Sequence, residues 1–429
     1  MARTAFSLFG AFLGLTLSAQ TYTSWFTGNT TDLVVEPLGG TCMMGGASEF
    51  DPAMQWFLDR ANGGDVLVLR ASGSDGYNDY MYTDLGGVNS VETILFNSAA
   101  ATSEVYVLDR ISKAEAIWFA GGDQWNYVNY WRNSPIMTAI NDALSQRHIA
   151  IGGTSAGMAI LGSCYFSAQN GSVLSSEALS DPFNTYMTVD CTPFLQVPYM
   201  ANTITDTHYD NPDRRGRHFT FLARMAQQGD SVAYGIACNE YVAVCVAPDG
   251  IAHVYGEYPQ YQEFAYFLRM NCVAPSDPET CEAGMSLTWN RDGMAVKTYK
   301  VPGLPGGDNW FDLNDHLAGE GGAWEDWSAM DGIFTTQPGD APPCLPTQVQ
   351  QLEGIAPALE WNAVTGNATA SGLLPGSALT LYASDGRLIQ QATADGAGNA
   401  RMMVKTSATG CLLLKAQGST GPFTWKIVR

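Results

Sequence analysis

The stretch His148-Ile149-Ala150-Ile151-Gly152-Gly153-Thr154-Ser155-Ala156-Gly157 decides the fold. A short apolar run enters a turn of small residues with one serine at its tip. Met158-Ala159-Ile160-Leu161 follows and can start a helix. Strand, tight turn and helix in that order form a nucleophile elbow. The glycines permit a sharp turn, the serine oxygen is pushed out of the sheet, and the next N–H points at the reacting oxygen. A bare G-x-S-x-G match also describes an ordinary glycine turn; the strand before it and the helix after it favour the nucleophile.

Upstream of the elbow, short apolar runs alternate with helical stretches. Asp65 to Leu69, Ser103 to Leu108, Ala116 to Ala120 and His148 to Ile151 are expected as strands. Pro52 to Ala61 and Pro135 to Gln146 are expected as helices. This alternation implies an α/β fold, a doubly wound, mostly parallel sheet with helices on both faces. Ligand sites in such sheets lie at the carboxyl ends of the strands. Gly45-Gly46, Gly121-Gly122 and Gly152-Gly153 all fall at or near such ends. Val232 to Ala237 and Tyr241 to Val246 are expected as a hairpin about Asn239-Glu240 that completes the sheet.

The chain has 429 residues, more than one ordinary core holds. Residues 1–19 are expected as a signal peptide: Arg3 precedes a short apolar core, and Leu17-Ser18-Ala19 offers a cleavage site before Gln20. The apolar run is too short to span a bilayer, so a soluble, exported protein without a transmembrane segment is expected. A catalytic domain over 20–340, a linker over 341–350 and a small all-β sandwich domain over 351–429 complete the expected organisation. The formal charge of -21 argues against nucleic acid or anionic membranes as partners. It suits an acidic secreted surface, and it could also draw in a cationic substrate.

Nine cysteines in an exported chain permit disulfides. Cys272 and Cys281, flanking a Pro- and Asp-rich loop, are the first candidate pair. Cys164, Cys238 and Cys245 are expected as buried thiols or an internal pair. No CxxC occurs and the five histidines are scattered, so no metal site is expected.

A serine needs a base. Of the five histidines His208 is the best candidate. It opens a polar loop, Thr207 to Arg217, beside Asp206 and the cluster Arg214, Arg215, Arg217. It follows Ser155 by 53 residues, which disfavours an α/β-hydrolase and hence an esterase. Glu177, Asp181, Asp190 and Asp206 are the carboxylates available to orient it. The N–H groups of Ala156 and of Gly122 are the candidate oxyanion donors. The arginines could take a substrate carboxylate or form ion pairs with Asp206, Asp210 and Asp213.

Ala120-Gly121-Gly122-Asp123-Gln124, the elbow, and Asp206-Thr207-His208 followed by the arginines resemble the cyanophycinase branch of the dipeptidase E serine peptidase family, over roughly Val34 to Val246. The resemblance implies a flavodoxin-like, class I glutamine amidotransferase-like fold and hydrolysis of cyanophycin to β-aspartyl-arginine without metal or cofactor. It implies Ser155 as nucleophile, His208 as base and Glu177 as acid. Gln124, Asp206, Thr207, Arg214, Arg215 and Arg217 fall at its substrate-binding positions. Cyanophycinases often have glutamine where Thr207 stands, and the loop before the arginines is longer here. The segment from about Pro346, with Leu381 to Ile389 and the closing Lys426-Ile427-Val428-Arg429, resembles a type IX secretion sorting domain. That resemblance implies export to the cell surface or beyond. The expected partners are a peptide or cyanophycin substrate and the secretion machinery; a homodimer stays open. A related peptidase of aspartyl or isoaspartyl peptides and a non-catalytic binding protein on the same fold are the alternatives.

Overall fold

The computed structural model describes residues 20–227 and 232–344, and, further on, 358–362, 367–371, 373, 377–383, 387–395, 398–403, 411–418 and 421–428. The chain divides into two compact units between Cys344 and Leu345. The expected leader over 1–19, the linker residues 345–350 and the Ser384-Asp385-Gly386 turn lie outside the described residues.

The first unit begins with strands β1 (Tyr22–Gly28), β2 (Gly40–Met44), β3 (Asp65–Arg70), β4 (Ser90–Phe96), β5 (Ala116–Phe119) and β6 (Ala150–Thr154). In space they run β1-β4-β3-β5-β6-β2, and the sheet continues through Ala243–Val246, Ile251–Tyr255, Asn309–Asp312 and Gly319–Glu320. The five strands from β4 to β2 are mutually parallel, and the strands flanking them are antiparallel. This mixed α/β sheet fits a flavodoxin-like core. The chain order reverses around β3 and β5, the arrangement that opens a crevice at the carboxyl edge.

Side chains alternate across the sheet. Leu67, Leu69, Ile117 and Phe119 face one core, with Val107, Val128, Trp131 and Ile140 from three helices. Val66, Val68 and Trp118 face the other, with Met54, Phe57 and Leu58 of the Asp51–Asp59 helix. Each large side chain so buried contributes about 1.5–3 kcal/mol.

Two expected elements differ. Ser103 to Leu108 is not a strand: a 3₁₀ turn leads into the helix Val105–Lys113. Val107 and Ile111, four residues apart, are buried while Val105 stays exposed, so the face repeats with helical period. The strand in its place is β4, whose apolar run is broken by the buried Glu92 and Thr93. Arg110 and the Tyr106 hydroxyl hold the Glu92 carboxylate at 2.5 and 2.7 Å.

A second, six-stranded sheet runs Ile333–Pro338, Ala323–Met330, Val296–Pro302, Phe264–Met270, Tyr234–Cys238, Thr203–Asp206. Only the last two strands are parallel. Tyr234–Cys238 and Ala243–Val246 therefore lie in different sheets and form no hairpin. The connection through Asn239-Glu240 crosses from one sheet to the other. In the second unit, the described elements are strands in a three-stranded and a four-stranded sheet. Leu379, Leu381, Ala368, Ala370, Met402 and Leu414 share one buried cluster there.

Candidate active site

At the carboxyl edge of the first sheet, Phe119 pairs with Gly153 and Met44 with Thr154. The three glycine turns thus emerge side by side. Ser155 has φ +52°, a left-handed conformation that costs a non-glycine residue roughly 1–3 kcal/mol. The turn is held by Ser155 N–H donating to Met44 O (3.1 Å) and Gly157 N–H to Thr154 O (2.8 Å). Gly157 allows the close approach: a Cβ there would stand 2.1 Å from Phe119 O.

The base comes from the other sheet. Thr203–Asp206 ends beside Tyr234–Cys238, with Asp206 opposite Ala237. The residues just beyond both ends are therefore neighbours. His208 Nε2 lies 2.8 Å from Ser155 Oγ, and His208 Nδ1 lies 2.6 Å from Glu240 Oε1. A carboxylate can only accept, so Nδ1 carries the proton and Nε2 is left to accept from the serine. Glu240 is fixed in turn. Its N–H donates to Asp210 Oδ1 (3.0 Å) and its Oε2 accepts from Asn211 Nδ2 (3.4 Å). The hydrogen bond from His208 holds the Glu240 carboxyl below its ordinary range.

Gly45-Gly46 locks the two loops together. His208 N–H donates to Gly45 O (2.8 Å) and Tyr241 N–H to Gly46 O (3.1 Å). A Cβ on Gly46 would sit 2.4 Å from the His208 ring. On the other side of the serine, a Cβ on Gly121 would be 3.6 Å from Ser155 Cβ. Among the described residues, the N–H groups of Ala156 and Gly122 donate to no protein acceptor. Both remain free to donate.

A polarised serine on a strained turn, with a base and an acid in line, is the apparatus of nucleophilic acyl transfer. The model of peptidase family S51 matches residues 39–251. The matched segment contains Ser155, His208 and Glu240, and the match supports a serine-type peptidase. The cyanophycinases of Synechococcus elongatus and Thermosynechococcus vestitus are each 24% identical over 206 residues, which cover 47% of this chain and 59% of the relative. The chain thus spans about three fifths of the length of the curated relatives it matches. A solved peptidase from an acI-B1 Actinobacterium is 13% identical, with a TM-score of 0.38, covering 52% of this chain and 89% of its own.

The other expected site residues of the matched segment divide. Glu177 does not reach His208. It sits in the first turn of the helix Ser175–Ser180 and accepts the Leu174 N–H at 2.8 Å, capping its own helix. Asp206 and Arg217 are turned inward and paired: Nε to Oδ2 at 2.9 Å and Nη2 to Oδ1 at 2.5 Å, both side chains at most 4% exposed. Arg217 also donates to Ser172 Oγ and Val173 O. Burial pushes the Asp206 carboxyl up, but the Arg217 charge and hydrogen bonds outweigh it and leave its pKa lowered. These two residues join helix to strand, and four of the five Arg217 N–H donors are taken up in doing so. Arg215 is taken up by Asp213, at 2.9 and 2.6 Å. Arg214 differs. Its Nη1 donates to Thr207 O (2.8 Å), next to His208, and among the described residues no carboxylate pairs with it. Thr207 itself is buried. Gln124 opens the helix after Gly121-Gly122, capped by Asp123, and reaches Phe166 O at 3.5 Å.

Cys272 bonds to Cys344, not Cys281, and Cys164 bonds to Cys191. Lys297 Nζ donates to Asp340 O, and Lys297 in turn pairs with Arg269 of the strand that leads to Cys272. Cys281 points into the second sheet's core as a free thiol. Cys42, Cys238 and Cys245 are buried and free. Among the described residues no group of three His, Cys, Asp or Glu side chains is arranged to hold a metal ion.

Glu240 was missed because Asn239-Glu240 reads as a hairpin turn. The available signal was an acid directly after a buried strand, the same position that His208 occupies two residues after Asp206.

Proposed function

We propose that this protein is an exported serine peptidase that cuts aspartyl-type peptide bonds, with cyanophycin as the preferred substrate. Ser155 Oγ attacks the carbonyl as His208 Nε2 takes its proton. Glu240 orients the ring and balances the imidazolium. The N–H groups of Ala156 and Gly122 receive the oxyanion. His208 then protonates the leaving amine, and water, deprotonated by His208, releases the acyl-enzyme. Arg214 is the guanidinium placed to receive a substrate carboxylate. The observation that carries this reading is the line Ser155 Oγ, His208 Nε2, His208 Nδ1, Glu240 Oε1, at 2.8 and 2.6 Å.

The substrate follows from the likeness of the S51 segment to proteins named cyanophycinase. Export follows from the leader pattern over residues 1–19, and type IX secretion from the C-terminal strand motifs. The test is incubation of the mature chain with cyanophycin beside a Ser155→Ala control, with products read by mass spectrometry. β-Aspartyl-arginine from the wild type alone is the expected result. Release from neither, with both proteins folded, overturns the substrate assignment.

A further inference from the structure

We propose that the cavity lined by Glu49, Phe50, Tyr241, Glu257, Tyr261 and Glu263 is a subsite for the guanidinium of a basic side chain flanking the bond to be cut. This rests on the peptidase reading above and adds the residues that choose the substrate.

The cavity holds about 430 Å³, room for one long side chain. It adjoins the catalytic line. Tyr241 follows Glu240 directly, has φ +65°, and is tied by its N–H to Gly46 O. Glu49 and Phe50 follow the same Gly45-Gly46 turn. The lining has two chemistries that together suit a planar cation. Tyr241 and Tyr261 are about half exposed, large rings left facing solvent. Three carboxylates stand among them.

Glu263 is the decisive member. It is 7% exposed, lines the cavity, and among the described residues no lysine or arginine pairs with it. The Glu257 N–H donates to its Oε2 at 2.6 Å. A buried carboxylate without a cation is costly, and burial raises its pKa, with the Glu257 charge adding to the effect. An incoming cation relieves that cost. A metal ion does not suit the site, since these carboxylates are not grouped to chelate one. A guanidinium suits it better than an ammonium, because it stacks on rings and bonds carboxylates through a planar fork. Glu257, Tyr261 and Glu263 all lie beyond residue 251, where the S51 match ends. The subsite is therefore built partly from this chain's own later strands and loops.

The test measures binding apart from turnover. In the full chain carrying Ser155→Ala, calorimetry compares aspartyl-arginine, aspartyl-citrulline and aspartyl-lysine. Citrulline keeps the shape of arginine and removes the charge. Arginine is expected to bind at least ~10-fold more tightly than citrulline, and more tightly than lysine. Glu263→Gln, and separately the exposed Glu257→Gln, are expected to shrink the arginine-to-citrulline ratio, and the pair together to bring it near one. The Glu257 change is on the surface and leaves the fold intact. Equal affinity for arginine and citrulline, a ratio unmoved by both substitutions, lysine matching arginine, or no binding at all each overturns the proposal. Hydrolysis by the wild type, read separately, reports on the peptidase assignment.

Discussion

His208 Nδ1 lies 2.6 Å from Glu240 Oε1, although 32 residues of chain separate them. The pairing of Asp206 with Ala237 across two parallel strands makes them neighbours. Replacing Glu240 with Gln keeps the shape and removes the charge that stabilises the imidazolium. It is expected to lower kcat/KM by ~10²–10⁴, whereas Glu177→Gln stays within about twofold of wild type. Initial rates, and rates of Ser155 labelling by a fluorophosphonate, check both. Equal losses in the two variants would restore Glu177 as the acid.

The two arginines three residues apart have opposite roles. Arg217→Ala strands the buried Asp206 carboxylate and is expected to cost about 3–5 kcal/mol of stability. Arg214→Ala breaks one bond to the Thr207 carbonyl and is expected to change KM with little loss of stability. Urea unfolding beside steady-state kinetics separates them.

His218 and His316 are buried, and burial pushes their pKa values down to about 4 and about 3. His218 Nε2 faces the Ile204 carbonyl at 3.2 Å, so Nε2–H donates there and Nδ1 accepts from the Tyr209 hydroxyl at 3.1 Å. This ring is neutral by construction. Below about pH 6.5 the unfolded chain takes up protons that the folded chain refuses, so stability falls as pH drops. Each histidine contributes up to about 1.4 kcal/mol per pH unit from there down to its folded value. Unfolding midpoints from pH 7 to 4 should show this slope, and His218→Gln should flatten it. A flat profile in the wild type would sink the assignment of neutral rings.

Digestion without reduction is expected to yield peptides linking Cys272 to Cys344 and Cys164 to Cys191. Cys281 should be alkylated only after unfolding. A Cys272–Cys281 peptide would contradict the structure. Cys344→Ser opens a link across 72 residues and is expected to cost about 2–4 kcal/mol.

The parallel core was legible because its strands are short runs of buried apolar residues between glycine turns. β5, β6 and the Asp51–Asp59 helix follow that pattern directly. Ser103 to Leu108 misled because Val-Tyr-Val alternates like a strand, while the spacing of Val107 and Ile111 fits a helix. β4 was hidden because the buried Glu92 and Thr93, on opposite faces of the strand, interrupt its apolar run, and their partners come from elsewhere in the chain.

By itself the sequence determined the nucleophile turn. Glycine spacing, a serine at the tip and a preceding apolar run are local, and local sterics settle them. It also singled out His208, since few histidines were available and one opened a charged loop. Only the tertiary structure decided which carboxylate meets His208, the inward pairing of Asp206 with Arg217, and the disulfide partners. Each of those depends on which strand ends lie side by side. Strand pairing is a long-range choice made by the packing of two whole sheets, and no short stretch of chain carries it.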